Sequence, residues 1–220
     1  MSIDKKKELI KQKVRNEYGE GSKTTKIHRL IDQMSESNIP TGYWFLTMDK
    51  FEGSPKLKET VDQYIANLQE NYMEGKSICF AGNQGTGKTM SSICILKSAI
   101  KKGFSAHYTT ASDMLSDLSD RETNHVRHIL RHTDFLVIDE LDSRFFTSDS
   151  VKELFSGKYE NIFRYRSHNQ LPTIVCTNET ENVLNVFSGP GVQSIESLNN
   201  QYLTVYPVVG KDFRKRMDNE

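Results

Sequence analysis

The glycine-rich segment GNQGTGKT at residues 82–89 constrains this chain more than any other part of it. It matches the pattern G-x-x-x-x-G-K-[ST], and it lies between an apolar run, SICFAG at 77–82, and a helical pattern, which is the context that a phosphate-binding loop (P-loop) requires. Glycines allow consecutive N–H groups to point into one concavity, and the helix that follows adds its positive end. The sequence therefore predicts nucleotide binding. The expected contacts are Gly82, Asn83, Gln84, Gly85, Thr86, Gly87, Lys88, Thr89 and Met90.

Two side chains at the end of this loop have specific roles in such a site. The ammonium group of Lys88 is expected to reach the β- and γ-phosphates, and the hydroxyl of Thr89 is expected to be a magnesium ligand. The bare pattern arises by chance in some chains, but the strand before it and the helix after it make an accidental match a poor explanation.

The rest of the chain alternates between strand and helix patterns. This order indicates a mostly parallel sheet with helices on both of its faces. We therefore expect a three-layer α/β P-loop fold with five strands, a short helical N-terminal extension and little or no C-terminal lid. Strands are expected at 77–82, 105–110, 134–139, 172–177 and 202–208, and helices at 89–102, 112–118 and 151–166.

Polar side chains follow two of the expected strands. FLVIDE, at 135–140, is an apolar run that ends in two adjacent acids at the edge where parallel sheets bind ligands. Asp139 is placed to hold Mg²⁺, and Glu140 is placed to polarise an attacking water. Asn178 follows the fourth strand and is expected to orient that water. The alternatives are carboxylates that are merely solvated and an asparagine that only forms a turn.

The N-terminus is a basic extension. Residues 1–30 hold nine Lys or Arg and four acids, a net charge of +5 (9 − 4). Apolar residues between positions 27 and 34 follow the spacing of an amphipathic helix. Such helices either pack on the main domain or bind a partner, and the spacing does not decide between the two. We place the extension at 1–38 and the nucleotide-binding domain at 39–220.

The composition argues against a uniformly basic nucleic-acid-binding protein, a disulfide-bonded protein and a membrane protein. The formal net charge is zero, so affinity for nucleic acid has to come from a local patch. The three cysteines, Cys79, Cys94 and Cys176, form no C-x-x-C pair, which favours buried thiols in a reducing compartment. No run has the length and hydropathy of a membrane span or a signal peptide. We therefore expect a cytoplasmic protein that does not cross a membrane.

A histidine-rich stretch lies between the second and third expected strands. A solvated basic face is its simplest interpretation, and contact with single-stranded DNA is the functional alternative. A zinc site is also conceivable, but no carboxylate or thiol at ligand spacing completes it. The residues concerned are Arg121, His125, Arg127, His128, Arg131 and His132.

The P-loop, the Asp–Glu pair and the strand-end Asn, in this order, resemble those of the AAA+ ATPases. Further segments narrow the resemblance to the DnaC/IstB group of bacterial and phage helicase loaders and transposition helpers. They are IPTGYWFLTMDKF (39–51), SDMLSDL (112–118), LFSGKYENIFRYRSHNQLPTIVCTN (154–178) and GKDFR (210–214). The resemblance extends roughly from residue 40 to residue 216, and the P-loop alone is shared with many families.

This resemblance implies cofactors, partners and residue roles. Members of the group bind the replicative helicase through an N-terminal segment and single-stranded DNA through the ATPase domain. Residues 1–34 would therefore bind the helicase, and the chain would self-associate or assemble on the helicase ring. ATP and Mg²⁺ are the implied cofactors. The implied metal ligands are Thr89 and Asp139, and the implied catalytic residues are Lys88, Glu140 as the base, Asn178 as sensor 1 and Arg214 as sensor 2.

The chain departs from the family pattern at one position. Members normally carry a Ser-Arg-Leu-like triplet whose arginine reaches the nucleotide of the neighbouring subunit, and the corresponding residues here are Glu196, Ser197 and Leu198. No Lys or Arg occurs from Ser167 to Gly210. Because such an arginine supplies several kcal/mol of transition-state stabilisation, hydrolysis is expected to be slow unless another cation replaces it. The candidates are Arg144, Arg164, Arg166 and a partner protein.

Taken together, these features predict an ATPase that loads a replicative helicase onto single-stranded DNA, encoded by a phage or mobile element. A transposition helper ATPase is the first alternative, because it uses the same core with another N-terminal extension. A nucleotide-gated adaptor that scarcely hydrolyses ATP is the second. A small-molecule kinase fits less well, because the adjacent Asp–Glu pair suits activation of water.

Overall fold

A five-stranded sheet, in which every strand is parallel to its neighbours, forms the middle layer of the computed structural model. The structure describes residues 2–119, 124–146 and 148–213. The strands are β1 (Ser77–Gly82), β2 (Ala106–Thr110), β3 (Phe135–Leu141), β4 (Thr173–Thr177) and β5 (Leu203–Val208), and their order across the sheet is β2-β3-β4-β1-β5. The five expected strands are confirmed, and a sheet predicted as mostly parallel is wholly parallel.

Helices cover both faces of this sheet and complete the predicted three layers. Alternate residues of β1 enter opposite cores, with Phe80 in one and Cys79 in the other, because side chains alternate across a strand. The helix that follows the P-loop packs in the first core. The second core is completed by two other helices, which contribute Phe155 and Ile195. The helices are α1 (Ile3–Tyr18), α2 (Ser22–Glu36), α3 (Pro55–Ala66), α4 (Leu68–Met73), α5 (Lys88–Lys101), α6 (Ala111–Asp117), α7 (Asn124–His132), α8 (Asp149–His168) and α9 (Val192–Tyr202).

The strand order determines which side chains meet at the functional edge of the sheet. Because β4 lies between β1 and β3, the carboxyl ends of these three strands are adjacent. The P-loop follows β1, Asp139 lies near the end of β3, and Asn178 follows β4. Residues that are far apart along the chain are therefore brought to one edge, where parallel sheets bind their ligands.

The N-terminal helices pack as a hairpin on the outside of the first core. Ile31 and Met34 of α2 are 1% and 2% exposed and belong to the same apolar cluster as the central strands. On the outer helix, Lys7 and Lys11 form ion pairs with Asp32 at 2.8 and 2.6 Å. The division of the chain at residue 38 stays a prediction.

Helix α9 forms where no element is predicted from the sequence. Its apolar residues are few, but Ile195 and Leu198 lie on one side and are buried against α8 and β5.

After β5, the described chain ends at residue 213. Residues 214–220 lie outside the described part, so the expected lack of a lid stays a prediction there. None of the described helices combines the length and the hydropathy that a membrane crossing requires.

Candidate nucleotide-binding site

The P-loop adopts the conformation that its glycines permit. Gly85 and Gly87 have φ angles of 75° and 96°, in the left-handed region that favours glycine. The side chain of Lys88 is buried beneath the loop, and its ammonium group donates to the carbonyl oxygens of Gly82 and Asn83 at 2.7 Å each. The lysine therefore lies inside the concavity that the loop encloses.

The start of α5 offers a place for an anion. This helix begins at Lys88, and its first turn receives no side-chain cap from any residue that the structure describes, since Gly87 precedes it. The first N–H groups of a helix lack intrahelical partners and carry the positive end of the helix dipole. Together with the buried lysine, they match what the phosphates of a nucleoside triphosphate such as ATP need.

Two neighbouring segments close over the outer side of the P-loop. A Cβ atom added to Gly87 would lie 2.4 Å from the ring of Phe51, and one added to Gly85 would lie 1.8 Å from Oδ1 of Asp212. The N–H of Phe213 donates to the carbonyl of Gly85 at 3.1 Å, and the rings of Phe51 and Phe213 are 6.4 Å apart. Loop substitutions would therefore disturb both packing and backbone conformation. The contacts of Asp212 and Phe213 are not predicted from the sequence.

The carboxylate of Asp139 is buried and held from two sides. Asp139 is 3% exposed; its Oδ1 accepts from the N–H of Glu140 at 2.8 Å and its Oδ2 accepts from the hydroxyl of Tyr108 at 2.9 Å. Burial and the nearby Asp139 charge raise the pKa of Tyr108, so the phenol is protonated and acts as a donor. Tyr108 is not predicted as a site residue, although a buried tyrosine next to the acidic strand needs a partner for its hydroxyl.

Glu140 differs sharply from its neighbour in backbone conformation. Its φ angle is 54°, which is uncommon for a residue other than glycine, and the pairing of β3 with β4 shifts register between Ile138 and Leu141. Within this irregular part of β3, the side chain of Glu140 is exposed while that of Asp139 is buried. Strained backbone of this kind concentrates at functional sites.

Asn178 joins the P-loop to the end of β3. Its Oδ1 accepts from the ammonium group of Lys88 at 2.8 Å, and its Nδ2 donates to Oδ2 of Asp142 at 2.9 Å. Asp142 is 1% exposed, and hydrogen bonds from Arg144 and then Asn178 lower its pKa to about 2, although burial alone would raise that pKa. A carboxylate that stays ionised fixes the orientation of the amide, so the oxygen of Asn178 faces the lysine.

The residues predicted to hold magnesium suit that ion. Mg²⁺ prefers oxygen ligands and is usually bound by one or two protein groups together with phosphates. The hydroxyl of Thr89 and the carboxylate of Asp139 provide such oxygens beside the P-loop. Over the described residues, no cluster of three or more His, Cys, Asp or Glu side chains is arranged to hold a metal by itself. The histidines of α7 therefore form no zinc site with described neighbours.

The arginines considered as replacements for the missing cation have different environments. Arg166 is fully buried and therefore cannot reach a second subunit. Arg164 is bonded to Glu160 and to Ser194, and Arg144 is bonded to Asp142 while its side chain stays 60% exposed. The predicted sensor residue, Arg214, lies outside the described residues.

Ser197 lies on the exposed side of α9. It lines a shallow groove of about 500 Å³ whose other residues are mostly amides. They are Gln193, Glu196, Asn200 and Gln201. The position expected to carry an arginine is therefore on the surface, and its immediate surroundings contain one acid.

Helix α7 presents part of the predicted basic face. The rings of His128 and His132 are 4.3 Å apart, and Arg131 lies over the ring of Tyr165. A groove of about 410 Å³ between α7 and α8 is lined by Arg127, Arg131 and Lys158 among other residues. Burial and the charge of Arg127 lower the pKa of Lys158, as expected where cations are crowded together. Arg121 lies outside the described residues.

Comparison with known proteins places this site in a family. The model of the IstB-like ATP binding proteins matches residues 28–164. No curated protein sequence matches the chain significantly.

Solved structures show the same fold. DnaI is 16% identical with a TM-score of 0.63, over 79% of this chain and 93% of that one. The DnaC helicase loader is 20% identical with a TM-score of 0.58, over 77% and 100%. AMPPCP-bound DnaA from Aquifex aeolicus is 21% identical with a TM-score of 0.59, over 77% and 51%, so the chain spans about half the length of the DnaA structure. At these identities the likeness shows the AAA+ P-loop fold alone.

Proposed function

The chain belongs to the family of IstB-like ATP binding proteins, because the family model matches more than half of it, and from this premise we propose that it uses ATP to load a replicative hexameric helicase onto single-stranded DNA. Family and fold make it an AAA+ ATPase. The observation that carries the ATPase part of the proposal is the placement of Lys88, Asp139 and Asn178 at the carboxyl ends of three adjacent strands, with Lys88 bonded to Asn178.

The arrangement supports hydrolysis of ATP by water. The P-loop N–H groups and Lys88 would bind the phosphates. Asn178 holds the ammonium group of Lys88 and would therefore lie near the γ-phosphate that this group contacts. Glu140 accepts a proton from water as its oxygen attacks the γ-phosphorus and the bond to the bridging oxygen breaks, which yields ADP and phosphate. Thr89 and Asp139 would hold Mg²⁺, which neutralises charge on the phosphate oxygens when it is bound.

The N-terminal hairpin is proposed as the helicase-binding surface. Its outer helix exposes Ile3 and Leu9, at 60% and 49%, among exposed lysines that include Lys5 and Lys6. Exposed apolar side chains within a basic surface suit a partner whose face is apolar and acidic.

The groove between α7 and α8 is proposed as the single-stranded DNA contact. Arg127, Arg131 and Lys158 line this groove and would provide cations for phosphates. The rings of Tyr165 and His132 lie next to Arg131 outside the groove and would provide surfaces on which bases stack. This local patch supplies the positive charge that the neutral molecule lacks as a whole.

A pull-down of the replicative helicase from the native host tests the loading role. Deleting residues 1–34 would remove the buried Ile31 and Met34, so the sharper variant reverses the exposed Lys5 and Lys6 to Glu. We expect this variant to lose the helicase. The matched control reverses the exposed lysines of two other helical regions, Lys56 and Lys102, and should keep it. Capture of a transposase in place of a helicase would contradict loading.

Two alternatives have specific support. The first alternative is a transposition helper, which is consistent with the match to the IstB-like ATP binding proteins. An adaptor that binds ATP but scarcely hydrolyses it fits the exposed Ser197, which lacks the guanidinium of the family pattern. Robust hydrolysis in the presence of helicase and single-stranded DNA would exclude the adaptor.

A further inference from the structure

Tyr108 fixes the carboxylate of Asp139 from the neighbouring strand. It lies in β2 at the edge of the sheet, is 7% exposed, and donates to Oδ2 of Asp139 at 2.9 Å. The other oxygen of Asp139 accepts from the N–H of Glu140 at 2.8 Å. Each oxygen of the buried carboxylate thus has one donor in place, and the plane of the carboxylate is determined by the two together.

The same tyrosine is held through its backbone by the end of α2. Its N–H donates to the carbonyl oxygen of Ser37 at 2.9 Å, and its carbonyl oxygen accepts from Nδ2 of Asn38 at 3.0 Å. Since β2 is an edge strand, these groups have no strand beside them on that side, and the turn after α2 takes its place. Asn38 makes this turn with a φ angle of 56°.

We propose that Tyr108 is a positioning residue for Asp139 and that the end of α2 holds it in place, so that displacement of the N-terminal hairpin weakens magnesium-dependent nucleotide binding. The inference deepens the proposed function, on which it rests. Tyr108 connects the end of α2 to the carboxylate proposed for the metal, through hydrogen bonds on both sides. Helix α2 in turn packs against α1, which carries the surface proposed for the helicase, and is joined to it by the ion pairs of Lys7 and Lys11 with Asp32.

Tyr108 is expected to affect magnesium binding because a group that hydrogen-bonds to a metal ligand orients that ligand. Removing such a group commonly lowers metal affinity ten- to a hundredfold, because the ligand then samples orientations that do not bind. Asp139 is buried, so loss of the phenol donor also leaves one carboxylate oxygen without its partner in a poorly solvated place.

The test measures the affinity of a fluorescent ATP analogue with magnesium and with EDTA. Its readout is the dissociation constant in EDTA divided by that in magnesium, which is the magnesium-dependent gain in affinity. Tyr108→Phe removes only the hydroxyl. Asn38→Gly removes the amide donor and tolerates the positive φ angle. Tyr159→Phe is the matched control, because Tyr159 is fully buried and its hydroxyl has no hydrogen-bond partner among the described residues.

We expect Tyr108→Phe to lower the magnesium-dependent gain in affinity about tenfold, with binding in EDTA unchanged. Asn38→Gly should lower the gain about threefold, because it removes one neutral hydrogen bond farther from the metal site. Tyr159→Phe should leave the gain at the wild-type value. A wild-type gain in Tyr108→Phe would overturn the positioning role, and a wild-type gain in Asn38→Gly alone would overturn the link to α2.

Thermal unfolding of each variant without nucleotide separates positioning from folding. Tyr108→Phe and Tyr159→Phe should melt within a few degrees of each other, so that a selective loss of the magnesium effect belongs to the site. Loss of nucleotide binding in EDTA as well would mean a general defect and would overturn the inference. A wild-type chain that binds no nucleotide under either condition would instead refute the proposed function itself.

Discussion

Replacement of Arg166 by Leu should strongly destabilise the protein. The guanidinium is completely buried, and burial lowers its pKa to about 9, so it remains cationic at neutral pH. It donates to oxygens at the end of α7, in the segment just before β3 and at residues 172–173 where β4 begins, and so joins these three places. The acceptors are the carbonyls of Leu130 (3.0 Å), Arg131 (3.4 Å), Thr133 (2.7 Å), Asp134 (3.2 Å) and Pro172 (2.6 Å) and the hydroxyl of Thr173 (2.9 Å).

The size of the effect follows from the number of acceptors. A leucine has no donor, and each buried acceptor that loses its partner costs about 1–3 kcal/mol. The carbonyl of Pro172 also accepts from the N–H of Leu136, so it keeps a donor. Taking about 1 kcal/mol for each of the other four carbonyls, since water will reach some of them, gives a loss of roughly 4 kcal/mol. That is a large part of the whole free energy of unfolding of many domains, about 5–15 kcal/mol. Arg166→Lys keeps the charge and three donors, so about half of this loss is expected.

Urea denaturation measures these differences. The expected order of midpoints is wild type, then Arg166→Lys, then Arg166→Leu, and the Lys variant provides the comparison if the Leu variant does not fold. Arg164→Leu is the matched control on the same helix, because its side chain is 44% exposed and its ion pair with Glu160 should contribute less than about 1 kcal/mol. An Arg166→Leu protein within about 1 kcal/mol of wild type would refute the structural role of this arginine.

The remaining predictions concern hydrolysis and acid stability. Glu140→Gln should keep nucleotide binding and lower turnover at least about a hundredfold, and wild-type turnover in a phosphate-release assay would exclude Glu140 as the base. Ser197→Arg should raise the turnover of the assembled protein about tenfold or more if this position faces a neighbour's nucleotide, whereas no change would show that it does not. Burial, and then the charge of Arg166, lower the pKa of His107 from 6.5 to about 4. Because the unfolded chain takes up this proton first as the pH falls, stability should be lost between about pH 6.5 and 4. His107→Gln should flatten that loss in denaturation measured at several pH values, and an unchanged slope would rule out this histidine as its source.

The fold class and the position of the P-loop between a strand and a helix follow from the sequence alone. These features depend on local patterns, namely glycines at loop positions, apolar runs of strand length and the alternation of strands with helices. The five strands were predicted to within about two residues, and both acids were placed at the end of β3. Helix α9 was not predicted, because few apolar residues mark it and tertiary burial of Ile195 and Leu198 provides the stabilisation.

The contacts that hold the site residues depend on tertiary structure and are not encoded locally. The bond from Lys88 to Asn178 joins residues 90 positions apart, and the bond from Tyr108 to Asp139 joins residues 31 apart. Both depend on the strand order β2-β3-β4-β1-β5, which no local pattern encodes. Whether Arg166 faces solvent or the core likewise depends on what packs against α8. The type and spacing of side chains indicate which chemistry they can perform. Their partners are determined by which strands and helices become neighbours when the chain folds.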